Sequence, residues 1–199
     1  MKPGETHDRC ACHNRQGGKV QRRHALHEGH AIFLIGRTAG WLGQSIYLSE
    51  LCGREEGAPP PVDLAEERRN GEFVRAAIGG GRATAVHDLA EGGLAVALAE
   101  MAIDGRVGAV INRLPDAAPA HAILFGEDQG RYIVTASGSA ADALVADAEA
   151  AGVPMLRLGE TGGEALILPD IAPIPIADLV RAHEEWLPNY MAGAPAPTN

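Results

Sequence analysis

The spacing of apolar positions along the chain predicts alternating strands and helices. Residues 32–35 form a continuous apolar run, which is typical of a strand buried on both faces of a sheet. From residue 94 the apolar positions recur instead at i, i+3, i+4 and i+7, as in an amphipathic helix: Leu94, Ala97, Leu98 and Met101. Gly105 is placed to end this helix in a left-handed conformation. The alternation continues along the chain and indicates one α/β domain with a mixed sheet covered by helices.

Capping and stop signals place most of the other elements. Asp63 and Glu66 approximate a capping box and begin a helix that the glycines at 79–81 end. We expect further helices over 45–52, over 139–151 with Gly152 as the stop, and through the apolar positions 179–190, with Trp186 in the core. We expect strands over 83–86, 107–111, 131–135 and 153–158, a loop over 112–120, and a hairpin partner for the last strand over 164–168.

The junction between the strand at 83–86 and the following helix carries the most concentrated polar chemistry. His87, Asp88 and Glu91 precede Gly92 and Gly93, a glycine pair that permits a tight turn or the close approach of another group. Two interpretations stay open. The amides at the helix start could hold an anion, with Mg²⁺ beside it on the carboxylates. Alternatively, the two acidic residues only cap the helix and the histidine is a hydrogen-bonded residue at a strand end.

Two other segments also place glycines or polar side chains close together. The glycines at 36, 40 and 43 space a loop that either cradles phosphate or packs against its neighbours, and it lacks the Gly-Lys-Ser/Thr ending of a P-loop. Glu127, Asp128 and Gln129 stand together before Gly130, and from the residues alone they form a solvated turn.

Composition excludes two classes of function. A formal net charge of −9 leaves no basic face of the kind that general nucleic-acid binding needs. No apolar run approaches the roughly 20 residues of a membrane span. Hydrophobic residues make up 46% of the 199, which is enough for the core of one domain. The three cysteines fit no disulfide framework and the polar, His-rich start fits no secretory signal, so we expect a cytoplasmic protein.

The first 27 residues differ in composition from the rest. Residues 1–30 carry a net charge of +3, so the remaining chain carries −12. Zinc-binding residue types occur there, but the one-residue gap between Cys10 and Cys12 is shorter than in the usual site, and no second thiolate pair follows. We therefore expect a disordered leader over 1–27, a domain over 28–191 and a flexible tail over 192–199.

The segment His87-Asp88-Leu89-Ala90-Glu91-Gly92-Gly93-Leu94 resembles the His-Asp-x-Ser-Asp/Glu-Gly-Gly-Leu motif of the AIR-synthase-like C-terminal domain. That domain occurs in phosphoribosylformylglycinamidine (FGAM) synthase, AIR synthase, selenophosphate synthetase and a hydrogenase maturation factor. Residues 32–36 with 40–45, 124–132 and 158–163 resemble, in order and spacing, the second such domain of the FGAM synthase synthetase subunit. The resemblance covers about residues 28–193. Ala90 and Gly126 depart from the serine that is usual or frequent in the family, which removes two hydroxyls from possible ligand contact.

The resemblance implies a three-layer α/β/α fold with a mixed sheet, partly like a ferredoxin fold. It also implies that Glu127, Asp128 and Gln129 line a surface related to the one that binds the substrate amide in the first repeat of the family. The residues expected to face substrate or nucleotide are therefore these three together with His87, Asp88, Glu91, Gly92 and Gly93. None of them is expected to be catalytic.

The implied activity is that of an ATP-dependent C–N ligase of purine biosynthesis, which uses ATP, Mg²⁺ and ammonia from glutamine to convert formylglycinamide ribonucleotide (FGAR) to FGAM. In the full-length enzyme the catalytic histidine and most ATP and Mg²⁺ ligands lie in earlier domains. We therefore expect this chain, a C-terminal domain or fragment, to be inactive alone. The implied partners are the missing N-terminal domains and the glutaminase and small accessory subunits. The alternatives are a non-catalytic packing module and the end-domain of another enzyme of the superfamily.

Overall fold

A computed structural model describes residues 24–193 of the chain. Strands and helices alternate along this range. In chain order they are β1 (His30–Ile35), α1 (Ile46–Cys52), α2 (Leu64–Gly79), β2 (Ala85–Asp88), α3 (Gly93–Gly105), β3 (Ala109–Ile111), α4 (Ala120–Phe125), β4 (Tyr132–Ser137), α5 (Gly138–Ala151), β5 (Met155–Thr161), β6 (Ala165–Ile167), β7 (Ile174–Pro175) and α6 (Ile176–Met191).

The seven strands form one mixed sheet in the order β2-β4-β1-β5-β3-β6-β7. The third of the seven is β1, which runs antiparallel to β4 on one side and to β5 on the other. The described strand pairs are antiparallel except for β3 with β6, which are parallel. The apolar strand β1 therefore lies in the interior of the sheet, between two other strands, where both of its faces are covered.

The sheet separates two apolar cores, and this makes the fold three layers. Phe33 and Ile35 of β1 point into a core closed by α2 and α5. Ile32 and Leu34 point into the opposite core, closed by α3 and the first turns of α6. Successive side chains of a strand point to opposite faces, so a strand between two cores must be apolar at every position. The predicted three-layer α/β/α class with a mixed sheet is confirmed.

Local signals were reliable where one residue decides a helix end. Asp63 caps α2, and its carboxylate accepts hydrogen bonds from the amides of Ala65 and Glu66. Gly152 ends α5 with a left-handed φ of 63°. The predicted sequence of strand, glycine turn and helix is also confirmed, because β2 ends at Asp88 and α3 begins at Gly93.

The predicted hairpin near the end of the chain is wrong. β5 and β6 are close in sequence, but β3 lies between them and pairs with both. The turn after β5 bonds to the residue before β3 instead of closing a hairpin: Gly108 donates to the carbonyl of Gly163, and Gly162 donates to the carbonyl of Gly108. A glycine-rich turn between two apolar runs carries no information about a third strand that arrives from 50 residues away.

Two helix assignments also differ from the expectation. The segment 120–125, expected to begin as loop, is the short helix α4, which at six residues is too short to have a recognisable apolar period. Gly105 is the last residue of α3, and the left-handed position belongs to Arg106, with φ of 53°. A Cβ at Gly105 would lie 2.4 Å from the carbonyl oxygen of Leu26, so this glycine permits close packing rather than a helix stop.

Trp186 is not in the core. It is 54% exposed on the outer half of α6, where it stacks on Tyr190 with 5.4 Å between the ring centroids. The periodicity that placed it on an apolar stripe is real, but the stripe extends beyond the body of the domain.

The described residues begin inside the predicted leader. Leu26 is 1% exposed and belongs to the core beneath α3, and Ala25 beside it is also buried. The chain is therefore packed from at least this point, ahead of the expected boundary at 27. Residues 1–23, with Cys10 and Cys12, and residues 194–199 of the expected tail lie outside the described range. Between 24 and 193, no helix is long and apolar enough to cross a membrane.

Candidate functional site

The corner between β2 and α3 depends on two left-handed glycines. Gly92 has φ of 76° and Gly93 has φ of 64°. A Cβ on Gly92 would lie 2.4 Å from Cγ2 of Val96, and one on Gly93 would lie 2.5 Å from the carbonyl oxygen of Gly126. Any other residue would combine backbone strain with a steric clash. The geometry explains both glycines by the tight turn and by the approach of the 126–131 segment.

Glu127 supplies the anion at this helix start. Its Oε1 accepts hydrogen bonds from the amide of Gly92 and from the amide of Ile46, both at 2.9 Å. One carboxylate thus satisfies the amide of the N-cap residue of α3 and the first amide of α1. The sequence predicted either an external anion or capping by Asp88 and Glu91, but the carboxylate at the helix start comes from a residue 35 positions away.

Asp128 is directed the opposite way, into the protein. It is 8% exposed, and its two carboxylate oxygens accept hydrogen bonds from the amides of Ala39, Gly40 and Trp41 at 3.0–3.3 Å. The glycine loop expected to cradle phosphate or to pack against its neighbours therefore directs these amides at a side chain of its own chain. Asp128 is an anchor for that loop, and its carboxylate does not face solvent.

Arg131 completes this anchor. Its guanidinium is buried and lies 3.6 Å from the Asp128 carboxylate. It also donates to the carbonyls of Gly126 and Asp128 and to the hydroxyl of Thr38. Burial lowers the pKa of Arg131 from its ordinary value, and the nearby carboxylate opposes that shift. The pair joins the loop after β1 to the start of β4, and nothing local in the sequence marks this arginine as buried.

His87 lies between two oxygen acceptors. Nδ1 donates to the carbonyl of Asp88 at 2.6 Å, and Nε2 lies 3.1 Å from a carboxylate oxygen of Glu100 on α3. The hydrogen bond to Glu100 raises the pKa of His87 and lowers that of Glu100. The ring of His24 meets that of His87 edge to face at 5.2 Å. His87 thus links β2 to α3 and to the segment before β1. The sequence predicted a hydrogen-bonded histidine at a strand end, but it did not predict these partners.

The remaining predicted residues are exposed and make few contacts. Asp88 has 70% of its side chain exposed, and Glu91 is exposed as well. Gln129 is exposed and donates to the carbonyl of Glu127 at 3.3 Å. A ligand-facing role for these three stays a prediction.

A cleft of about 300 Å³ opens between α1 and the start of α3. Glu91 and Glu127 line it together with Gln44, Ser45, Ile46, Ser49, Arg54 and Glu55. Its wall is polar, with three carboxylates and one guanidinium, so it suits hydroxyl, amide or cationic groups better than an apolar ligand. Of the eight predicted residues, the structure brings Glu91 and Glu127 together on this concave surface.

The described residues do not fit a self-contained magnesium site. Between 24 and 193 no three His, Cys, Asp or Glu side chains stand close enough together to hold a metal ion. The amide at the start of α3, which would hold a phosphate beside such an ion, already binds Glu127. Nucleotide and Mg²⁺ would need further ligands from outside this range.

Comparison with known proteins identifies a family to which the chain belongs. The family described as "AIR synthase related protein, C-terminal domain" matches residues 27–168. "Phosphoribosylformylglycinamidine synthase subunit PurL" from Rhodopseudomonas palustris strain HaA2 is 56% identical over 166 residues, which are 83% of this chain and 23% of that protein. The protein of the same name from Methylocella silvestris is 60% identical over 83% of this chain and 22% of its own length. The chain thus spans less than a quarter of these relatives.

Solved structures agree on the fold. The structure titled "T. maritima PurL complexed with FGAR" superimposes with a TM-score of 0.63 and 22% identity over 78% of this chain and 28% of that one. The "T. maritima PurL complexed with ATP" gives a TM-score of 0.59 at 21% identity, with 78% and 26% coverage. A thiamine-monophosphate kinase from Stenotrophomonas maltophilia K279a gives 0.51 at 22% identity, covering 76% of this chain and 54% of the kinase. At these identities the likeness concerns the fold alone.

Proposed function

The chain belongs to the family described as AIR synthase related protein, C-terminal domain, and from this premise we propose that it is the C-terminal domain of the synthetase subunit of FGAM synthase. The observation that carries the proposal is the identity of 56–60% over 83% of the chain to proteins named as that subunit. The motif from His87 to Leu94, which forms the corner between β2 and α3, supports it.

The reaction proposed for the whole protein activates an amide oxygen of FGAR with ATP and then admits ammonia derived from glutamine. The products are FGAM, ADP and phosphate. Mg²⁺ and the ATP phosphates would be held chiefly by domains outside this chain, in keeping with the lack of a three-ligand cluster among the described residues. The proposal therefore assigns this chain no catalytic residue and no turnover alone.

Within the proposal, the cleft beside α1 is the surface of this domain that faces substrate or nucleotide. Glu91 and the outer side of Glu127 line it, and both can accept hydrogen bonds from ligand hydroxyl or amide groups. Asp88 and Gln129 are exposed and lie close in sequence to Glu91 and Glu127. We propose that they also face the ligand. Asp128, Gly92 and Gly93 act by shaping the backbone around this cleft.

The proposed partners are the upstream domains of the synthetase subunit and the glutaminase and small accessory subunits of the enzyme. The relatives are named as a subunit, which supports an assembly of some kind. A cytoplasmic location is part of the same proposal.

A hybrid subunit tests the proposal. Residues 24–193 would replace the matching segment of the Rhodopseudomonas palustris relative. The release of ADP would then be measured as FGAM forms from FGAR, ATP and ammonia. We expect the hybrid to be active and the isolated 199-residue chain to be inactive. A folded hybrid without activity would contradict the assignment. Activity of the isolated chain would contradict the proposal that catalysis depends on the upstream domains.

A second candidate is a non-catalytic packing module, which four exposed apolar side chains near the end of α6 favour. As a module, the chain would self-associate or bind an apolar dye. Sedimentation as a clean monomer that binds no dye would count against this alternative.

A further inference from the structure

One face of α6 changes its surroundings half-way along the helix. Ile176 is buried at its start, and Leu179 and Val180 pack against the core beneath α3. The ion pair between Arg106 and Glu184 is the last described side-chain tie between α6 and the body of the domain. Every residue from 181 to 193 is exposed. The outer half of the helix therefore projects from the domain.

The apolar stripe does not end where the core ends. It continues at helical spacing through Trp186, Leu187, Tyr190 and Met191, which are 54%, 49%, 65% and 76% exposed. At 100° per residue these four lie on the same side of the helix as Ile176, Leu179 and Val180. One polar residue, His183, lies on this side between the two halves. A stripe that packs on a core in its first half and is again apolar from Trp186 to Met191 indicates that a further surface lies beneath it.

We propose that this stripe, Trp186–Leu187–Tyr190–Met191, docks onto the upstream part of the same polypeptide and so joins the C-terminal domain to the rest of the synthetase subunit. The inference rests on the proposed function, because that function supplies the upstream domains. The chain covers only 22–23% of its curated relatives, so ample polypeptide is present in them to cover the stripe.

A second copy of this chain is a poorer occupant. The four side chains offer on the order of 500 Å² of exposed surface, which is less than the roughly 800 Å² per partner of a stable interface between separate molecules. The chain beyond residue 30 also carries a net charge of −12, which repels an identical copy. Docking within one polypeptide avoids most of the entropy cost of association, so a small apolar patch is enough.

Hydrogen exchange locates the covered surface. Amides of 181–193 would be compared by mass spectrometry in the free 199-residue chain and in the hybrid subunit described above. We expect exchange in this segment to slow by at least about tenfold in the hybrid, because a docked helix opens less often. The double variant Leu187→Ser with Tyr190→Ser should restore fast exchange and reduce hybrid activity. Glu185→Ser, on the opposite side of the same helix, is the matched control and should do neither.

The outcomes separate the inference from the proposed function. An active hybrid in which 181–193 exchange as fast as in the free chain would overturn the docking while leaving the function in place. An inactive hybrid with a protected segment would support the docking and contradict the function. A free chain that dimerises and protects the segment equally would make a second copy the occupant and overturn the inference.

Trp186 provides a second measurement on the hybrid that does not depend on activity. With fluorotryptophan incorporated, its ¹⁹F resonance is identified as the signal that Trp186→Phe removes. In the hybrid this resonance should shift from its position in the free 199-residue chain and lose its response to exchange of H₂O for D₂O, because water leaves the ring. The same position and solvent response in both proteins would overturn the docking.

Discussion

Two acidic regions of this domain have similar composition and opposite surroundings. At the corner between β2 and α3, Asp88 and Glu91 stand in solvent with few contacts. In the 126–131 segment, Glu127 binds the starts of two helices and Asp128 binds three amides of the loop after β1. The carboxylate that binds the Gly92 amide at the corner therefore comes from the 126–131 segment. The role of an acidic residue near a helix start thus depends on whether its carboxylate reaches the helix amides. How close the residue is to the helix in sequence does not predict whether it does.

Removal of Asp128 should have the largest effect in this comparison. Asp128→Ala leaves Arg131 as a buried charge without its partner and frees the three loop amides, and such a loss costs about 3–5 kcal/mol of unfolding free energy. Urea denaturation of the 199-residue chain measures it. Asp128→Asn keeps one acceptor oxygen and should cost less. An alanine variant within about 1 kcal/mol of the parent would mean that the pair is not an anchor.

Removal of Glu127 should have an intermediate effect. Glu127→Ala exposes the amides of Gly92 and Ile46 to water, and loss of a helix cap typically costs about 0.5–2 kcal/mol. Hydrogen exchange at these two amides should accelerate together, since one carboxylate serves both. Glu127→Gln retains an acceptor oxygen and is the control. If only one amide responded, the shared cap would be refuted.

The link between His87 and Glu100 should depend on pH. The pKa of His87 is raised in the folded chain, so its contribution to stability is complete below 6.5 and is lost as pH rises through the raised value. The pKa of Glu100 is lowered, so its contribution is present above 4.5 and is lost as pH falls through the lowered value. Asp88, His24 and His183 also act on this pair.

The measurement is the difference in unfolding free energy between the parent and His87→Gln as a function of pH. It should reach its maximum between pH 4.5 and 6.5 and amount to at most about 1 kcal/mol, because Glu100 is half exposed. Glu100→Gln should give the same profile. A difference that grows above pH 8 would have the wrong sign for this pair.

The smallest effects are expected at the corner itself. Asp88→Asn and Glu91→Gln remove exposed charges and should each change the unfolding free energy by less than about 0.5 kcal/mol. In the hybrid subunit, Glu91→Gln tests the cleft: a changed KM for FGAR or ATP at unchanged stability would support the ligand-facing role. A loss of stability beyond 1 kcal/mol would instead make Glu91 a structural residue like Glu127.

The chain's own pattern was enough for much of the fold. The apolar run at 32–35 identified a strand in the interior of the sheet, because only a strand between two cores is apolar on both sides. Asp63 and Gly152 marked helix ends by chemistry that acts within a few residues. The same reasoning failed for the hairpin, because β3 arrives from far along the chain, and for Trp186, because a helical stripe does not reveal how far the core beneath it extends.

The sequence also predicted only part of the candidate site. Gly92 and Gly93 were predicted as a tight turn, and positive φ values are a local property that the sequence records. The roles of Glu127, Asp128 and Arg131 were not predicted, since their partners lie as many as 93 residues away. A single sequence shows that polar side chains are present but not which backbone amides they meet.

By itself, the sequence determined the alternation of elements, the glycine corner and the family, because periodicity, backbone freedom and motif spacing are properties of neighbouring residues. Only the tertiary structure decided that β3 separates β5 from β6 and that one carboxylate serves two helix starts. It also decided that α6 extends beyond its own core. These features depend on which distant segments meet when the sheet forms, and the free energy that selects them comes from contacts that no local stretch contains.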